Sequence, residues 1–477
     1  MRRDGVVAGA CLTAEADDAV GVYCVTTLPE QRSRGVGRAL LSAVVNGFPA
    51  LPMTPSATEQ GRVAGVLRRH EGHVAVERGP AATPGPAEFT RPAAARSSYL
   101  GRMTAEVGQR SRLAAVDNLK VLLVAWVIGG HALLGYSAVG GWPYDEVNEV
   151  TFEPHVEAVL AAVLGPSGLF LMGTFYLLSG LFTPESVARK GTRRFVRDRL
   201  VRLGVPFALS ALLVWPLTLW VAYRAAGHDV SPWWVFTHRD PLLDSGSLWF
   251  VEILLVFSVA YALFGRPRVT PVVLTGGHLV AVTAGVVVST FAVRLWFPAR
   301  SGQIGDLHVW WWPQLIAMFG VGIVGARSGL AQRVPDRMWR GSRVVAALAI
   351  VSVPVTAVAL GVSDLAGQAG PFLGGWRWQA LLFAVVEAVL VVGGSVWLLG
   401  WAQRRLTRDG PLVAALARGA FAAFFIQGPV LIVLAVAARP LPFPAEVKAF
   451  LVAAVAIAVS FGAGWLLTVR TRAARFF

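Results

Sequence analysis

Two residues of one apolar stretch, DNLKVLLVAWVIGGHALLGYS, have types and a spacing suited to chemistry: Lys120 and His131. An ionisable side chain inside a membrane span costs about 2.5 to 3.5 kcal/mol on insertion scales, so one that is kept there points to function. The two stand eleven positions apart. At ~100° per residue, eleven steps of a helix return to within ~20° of the same face, roughly 16 Å along the axis. Both side chains are therefore expected to look into one cavity, with a cation at its rim and a titratable base deeper inside. A neutral imidazole can remove the proton of a hydroxyl near neutral pH. The pair suits a long ligand with an anionic head and a reactive tail, and acyl-coenzyme A has that shape. The plainer alternative is a lysine that snorkels to the interface and a histidine packed against a neighbouring carbonyl.

Few other polar residues lie within apolar runs. Glu252 is the best candidate to orient or polarise His131, by the general logic of a base held by a third group; the alternative is a carboxylate at a helix end facing water. Glu387 lies deeper in its run and either pairs with an arginine or lines the cavity, ranking below Glu252. Ser179, before Gly180, is read as structural, allowing close packing and capping a helix end.

These residues need a membrane scaffold to position them. Of 477 residues, 55% are hydrophobic and only 15% charged, and the mean hydropathy is +0.58, far from the balance of soluble domains. Breaks at Pro, Gly and charge divide the apolar part into ten spans, near 119 to 138, 158 to 182, 202 to 223, 247 to 264, 271 to 297, 309 to 329, 343 to 362, 377 to 400, 411 to 438 and 447 to 469. Each approaches the ~20 residues that cross ~30 Å of hydrocarbon. The connector Gly265-Arg266-Pro267-Arg268 is compatible with two helices or with one re-entrant hairpin. The net charge of +15 sits between the apolar runs and lacks interleaved aromatics, which argues for a topology signal and against nucleic acid. Arg189, Lys190, Arg193, Arg194, Arg197, Arg199 and Arg202 follow the second span, and Arg327, Arg333, Arg337, Arg340 and Arg343 follow the sixth. The first intervening loop holds Asp145, Glu146, Glu149, Glu153 and Glu157 with no basic residue. By the positive-inside rule the basic segments are cytoplasmic, which places both termini inside and the protein in the cell membrane. Trp310-Trp311-Trp312 is read chiefly as part of an aromatic belt and less as a sugar-stacking platform. Trp233, Trp234, His228 and His238, in the loop after the third span, are candidates to contact an acceptor.

Cys11 and Cys24 are the only cysteines, so no disulfide framework or cysteine zinc site is available, and no metal is expected. No cleavable signal peptide is evident. Residues 1–79 are polar, and 80–111, rich in Pro, Ala and Gly, reads as a linker. VGVYCVTTLPEQRSRGVGRALLSAVV reads as a strand, a glycine-bearing turn and a helix. In the turn, Arg34-Gly35-Val36-Gly37 would aim backbone N–H groups at an anion at a helix N-terminus. This stretch resembles the acetyl-coenzyme-A pyrophosphate loop of the GNAT N-acetyltransferases, with Gln31, Arg34, Gly35, Gly37 and Ala39 at the motif positions; His73 stands where an aromatic is usual. The resemblance covers residues 19 to 79 and implies either a truncated half-domain without activity or a lobe that binds coenzyme A.

From Asp117-Asn118-Leu119-Lys120 to His131 the chain resembles the membrane-bound acyltransferase family 3, whose first span carries an Arg/Lys-x10-His pattern. Phe175, Ser179 and Gly180 match that family's Phe-x-x-x-Ser-Gly turn, and Arg197 and Arg199 its Arg-x-Arg element. Leu248-Trp249-Phe250 matches an element of the branch that includes glucan succinyltransferases. The resemblance spans about 112 to 470 and implies an all-α integral membrane protein of about ten transmembrane helices, preceded here by the small α/β GNAT-like fragment. It further implies an O-acyltransferase, with Lys120, Arg197, Arg199 and Arg194 or Arg202 holding acyl-coenzyme A at the cytoplasmic face and His131 as base. The acceptor implied is a hydroxyl of an envelope carbohydrate or related molecule. Lys120 replaces the commoner arginine and loses its planar fork. Gln427 stands where many relatives carry a histidine. A multi-span transporter with an intramembrane His/Glu site is the competing class.

Overall fold

The computed structural model describes residues 2–3, 6–7, 9–16, 19–27, 93–137, 151–239, 241–265, 273–299, 307–361 and 368–477. The chain divides into two compact units, Met1–Arg91 and Pro92–Phe477. In the first, β1 (Arg2–Arg3) pairs with β2 (Val6–Val7), and β3 (Gly9–Ala16) with β4 (Ala19–Thr27), both antiparallel. β4 is the strand expected ahead of the glycine turn. The strand before it, β3, was not legible, because its small residues show little apolar alternation. The turn itself, with Gln31, Arg34, Gly35, Gly37 and Ala39, lies outside the described residues, as does His73.

Among its described residues the second unit is all-helical and contains ten helices long and apolar enough to cross a membrane. They are α1 (Ala93–Leu134), α2 (Pro154–Lys190), α3 (Thr192–Ala225), α4 (Gly246–Phe264), α5 (Gly276–Val293), α6 (Val309–Arg327), α7 (Asp336–Ala359), α8 (Trp378–Arg405), α9 (Pro411–Ala438) and α10 (Ala445–Arg470). The 247 to 297 region forms two separate helices, α4 and α5, each long and apolar enough to cross a membrane on its own. α1 starts inside the stretch expected to be linker: after Pro92 no proline interrupts a run rich in Ala and Arg, which favours helix. Its membrane-length part is Ala114–Leu134, so His131 stands near the end of the span and not near its middle.

The basic segment expected to be a loop after the second span is a helical corner. α2 runs on to Lys190, and only Gly191, at φ +76°, separates it from α3. That left-handed conformation is open to glycine without strain. α3 contains two π-helical turns, Leu200–Gly204 and Ser210–Val214, and α8 a third, Leu390–Gly394. Pro206 and Pro216 follow the first two, and their missing N–H groups account for the irregular ladder.

α9 packs on α10 and α1, α2 crosses α6, and α8 lies against α5, α7 and α1. Small residues allow the closest crossings. Cβ atoms added to Gly180 or Gly322 would collide with the facing backbone, at Phe319 O and Leu177 O respectively. In α9 and α10, a Cβ at Gly419 would lie 2.7 Å from Trp465 N. Such crossings suit lipid, where van der Waals packing replaces the hydrophobic effect between helices. Gly180 therefore has the packing role expected of the Ser179-Gly180 pair. Ser179 caps no helix end, because α2 continues for eleven residues beyond it.

Candidate active site

At the end of the bundle where α1 stops, a cavity of about 430 Å³ opens beside His131. α1 contributes Trp126, Gly130 and His131 to its wall, α2 contributes Gly165, Ser167 and Gly168, and Ser247, Trp249, Trp311 and Phe424 complete it. The three glycines face open space, so the absence of side chains there creates room between α1 and α2. Trp126 Nε1–H donates to Ser167 Oγ at 2.9 Å, tying the two helices on one flank. Ser137 Oγ donates to a Glu157 carboxylate oxygen at the loop end.

His131 is held from behind. Its Nδ1 lies 3.2 Å from Gln427 Oε1, on a side chain of α9 with no exposed surface. An amide oxygen can only accept, so Nδ1 carries the proton and Nε2 the basic lone pair. Gln427 comes from AAFFIQGPV, and its one sequence signal was a polar residue within an apolar run; sequence reasoning noted it only as a departure and gave it no role.

The expected partners are distributed as follows. Lys120 shares α1 with His131, but its Nζ lies 3.2 Å from Asp117 Oδ1 at a partly exposed site and does not line the cavity. Along α1 the wall of this cavity runs from Trp126 to Leu134, short of Lys120. Within the same motif, Asn118 Nδ2 donates to Leu406 O and Arg408 O, each at 2.9 Å, fastening α1 to the turn after α8, and Leu119 is fully buried. Arg197 is exposed and Arg199 lies over the Phe195 ring at 5.0 Å. Both are on α3 near the basic corner, at the opposite end of the bundle from His131. Lys190 pairs with Asp198 at 2.7 Å beside them.

Glu252 stands in the first turn of the helix that carries Trp249, half-buried, with Oε2 shielded from solvent. It is not among the residues that line the cavity. Glu387 makes a fork-to-fork pair with Arg294: Nη2 to Oε1 is 3.1 Å, and Nη1 bonds Oε2. Both residues are at most 2% exposed, so of the two roles weighed for Glu387 the arginine pair is the one found. The three rings of the tryptophan triplet are each half-buried and make different contacts. A short 3-10 turn after His308, at φ +42°, aims the three rings differently. Trp310 lies 5.4 Å from the Arg294 guanidinium, Trp311 lines the cavity, and Trp312 Nε1–H donates to Leu307 O at 2.7 Å. Trp234 stacks on His238 at 4.7 Å, in the short helix Pro232–His238.

Ten membrane-length helices among the described residues, five of which help to wall a cavity beside His131, define a multi-pass membrane protein. The family model described as an acyltransferase domain, that of acyltransferase family 3, matches residues 113–469. The chain belongs to this family and is an acyltransferase that moves groups other than aminoacyl groups. No curated protein and no solved structure matches the chain.

Proposed function

We propose that the enzyme takes an acyl group, of acetyl or succinyl type, from acyl-coenzyme A and transfers it to a hydroxyl of an envelope carbohydrate or related acceptor. The observation that carries this reading is His131 on the wall of a cavity with its Nδ1 bonded to Gln427 Oε1. In the proposed step, His131 Nε2 takes the acceptor hydroxyl proton as the oxygen attacks the thioester carbonyl. The C–S bond breaks, and the departing thiolate takes that proton from the imidazolium. Glu252, one turn beyond Trp249, is assigned an electrostatic part, since a carboxylate at that end of α4 favours the imidazolium as it forms.

The basic corner, with Arg197 and Arg199, and Lys120 at the same end of the bundle supply cations for the nucleotide and pyrophosphate by charge-assisted bonds. Positive-inside bias assigns this end to the cytoplasm, together with both termini, in the cell membrane. The donor then threads the bundle from the basic end, and the acceptor enters at the histidine end. For the N-terminal unit the proposal is coenzyme A binding through Arg34, Gly35 and Gly37; an affinity that Arg34→Ala leaves unchanged in the full chain would remove it.

The test is acyl transfer in membranes containing the full chain, with mass spectrometry of envelope glycans identifying acceptor and acyl group. His131→Ala is expected to lower turnover by at least about 10²-fold, the scale of general base catalysis. Undiminished transfer in this variant would refute the assignment.

A further inference from the structure

A second pocket lies far from His131, at the basic end of the bundle between α7 and α8. Its volume is about 480 Å³, and its walls are Trp339, Arg343, Trp397, Trp401, Arg405 and Leu406. Trp397, Trp401 and Arg405 recur every four residues and form one face of α8, while Trp339 and Arg343 do the same on α7. The face on α8 extends ~12 Å inward from the helix end. Gly400 seats the Trp339 ring: a Cβ there would lie 2.6 Å from Trp339 Cδ1.

The polar groups of this pocket are donors. Arg343 lies over the Trp339 ring at 5.3 Å, and neither it nor Arg405 has a carboxylate partner among the described residues. Asp336, the acid of α7, is already taken by Arg404 at 2.5 Å and Arg333 at 3.2 Å. Trp339 Nε1–H is shielded from solvent and from the pocket alike, so this indole serves as apolar wall. Positive-inside bias explains arginines at this end, but it requires neither three indoles around them nor a glycine that seats one of them. Further along α7 the exposed face becomes apolar, with Val344, Leu348, Val351 and Val355.

We propose that this pocket is a binding site for an anionic phospholipid. The phosphate oxygens accept from Arg343 and Arg405, and the acyl chains lie along Trp397 and the Val344–Leu348 face. Basic pockets between transmembrane helices at a membrane surface take such headgroups. The arginines reach the phosphate level by snorkelling, with their stems on the indoles. This site is independent of the acyl-transfer reading.

The test is native mass spectrometry of the full chain in detergent, offered phosphatidylglycerol or phosphatidylcholine. Wild type is expected to retain phosphatidylglycerol preferentially, on the order of tenfold, since each arginine near a membrane surface contributes severalfold to binding anionic lipid. Arg343→Gln/Arg405→Gln should abolish the preference. Arg337→Gln/Arg408→Gln, with the same change in charge at the same end, should keep it. Arg343→Gln alone and Arg405→Gln alone should each weaken retention, which covers the case of a double variant that fails to fold. Equal retention by wild type and the Arg343/Arg405 variant, or equal loss in the control, would overturn the proposal. So would displacement of the lipid by coenzyme A or inorganic phosphate, either of which would make this a soluble-phosphate site.

Discussion

At the residue scale the arrangement turns on one hydrogen bond. His131 Nδ1–H donates to Gln427 Oε1 at 3.2 Å, and that bond selects the tautomer with its lone pair on Nε2. Gln427→Leu keeps the volume and loses the acceptor, so turnover should fall by roughly 10²-fold with little change in KM, as expected for loss of a group that orients a general base. Gln427→Glu, which still accepts from Nδ1, should recover much of that activity; steady-state kinetics in membranes separates the two. Equal loss in both variants would identify Gln427 as a packing residue only. The Arg294–Glu387 pair predicts something different. Arg294→Ala leaves a buried carboxylate uncompensated and should destabilise the bundle by about 3–5 kcal/mol, whereas Arg294→Met/Glu387→Leu should restore most of it. Unfolding in mild detergent measures both. His131 could be singled out from sequence because a titratable residue in an apolar run is conspicuous on its own. Gln427 could not, because its role depends on a contact across 296 positions.

At the element scale, hydropathy revealed all ten helices because lipid demands about 20 apolar residues from each. It did not reveal where helices continue past the apolar run. α2 and α3 carry their arginines as helix, divided by Gly191 alone, and a charge-based boundary stops several residues early on each side of that corner. The separate contacts of the tryptophan triplet were not legible either, because they depend on the turn at His308. Helix crossings were legible in part, since Gly180 stood out beside Ser179, but its partner Gly322 lay unmarked among other small residues of α6. Because each backbone occupies the space of the other's missing Cβ, Gly322→Val should separate α2 from α6 and lower the thermal midpoint in detergent sharply. Gly320→Val, two residues earlier and facing open space, should change it little. A small shift for both would mean that α2 and α6 do not meet as closely as described.

At the scale of the whole molecule, ten helices are an even number, so α1 enters and α10 leaves at one end of the bundle, the end that carries the basic corner. His131 lies toward the other end, and Lys120 sits ~16 Å from it along α1. A donor bound at the basic end must therefore extend into the bundle to meet the base, and an acceptor from the opposite side has the shorter path. Orientation then decides which compartment supplies each substrate. If the basic end is cytoplasmic, a cysteine introduced at Arg193 should react in intact cells only with a membrane-permeant maleimide, and one at Trp233 also with an impermeant one. The background is a chain lacking Cys11 and Cys24. Trp233 lies 70% exposed on the helix after α3, so reagent access is not limited by burial. The reverse pattern would place His131 near the cytoplasm and would turn the reaction around, with the acceptor, not the donor, required to traverse the bundle.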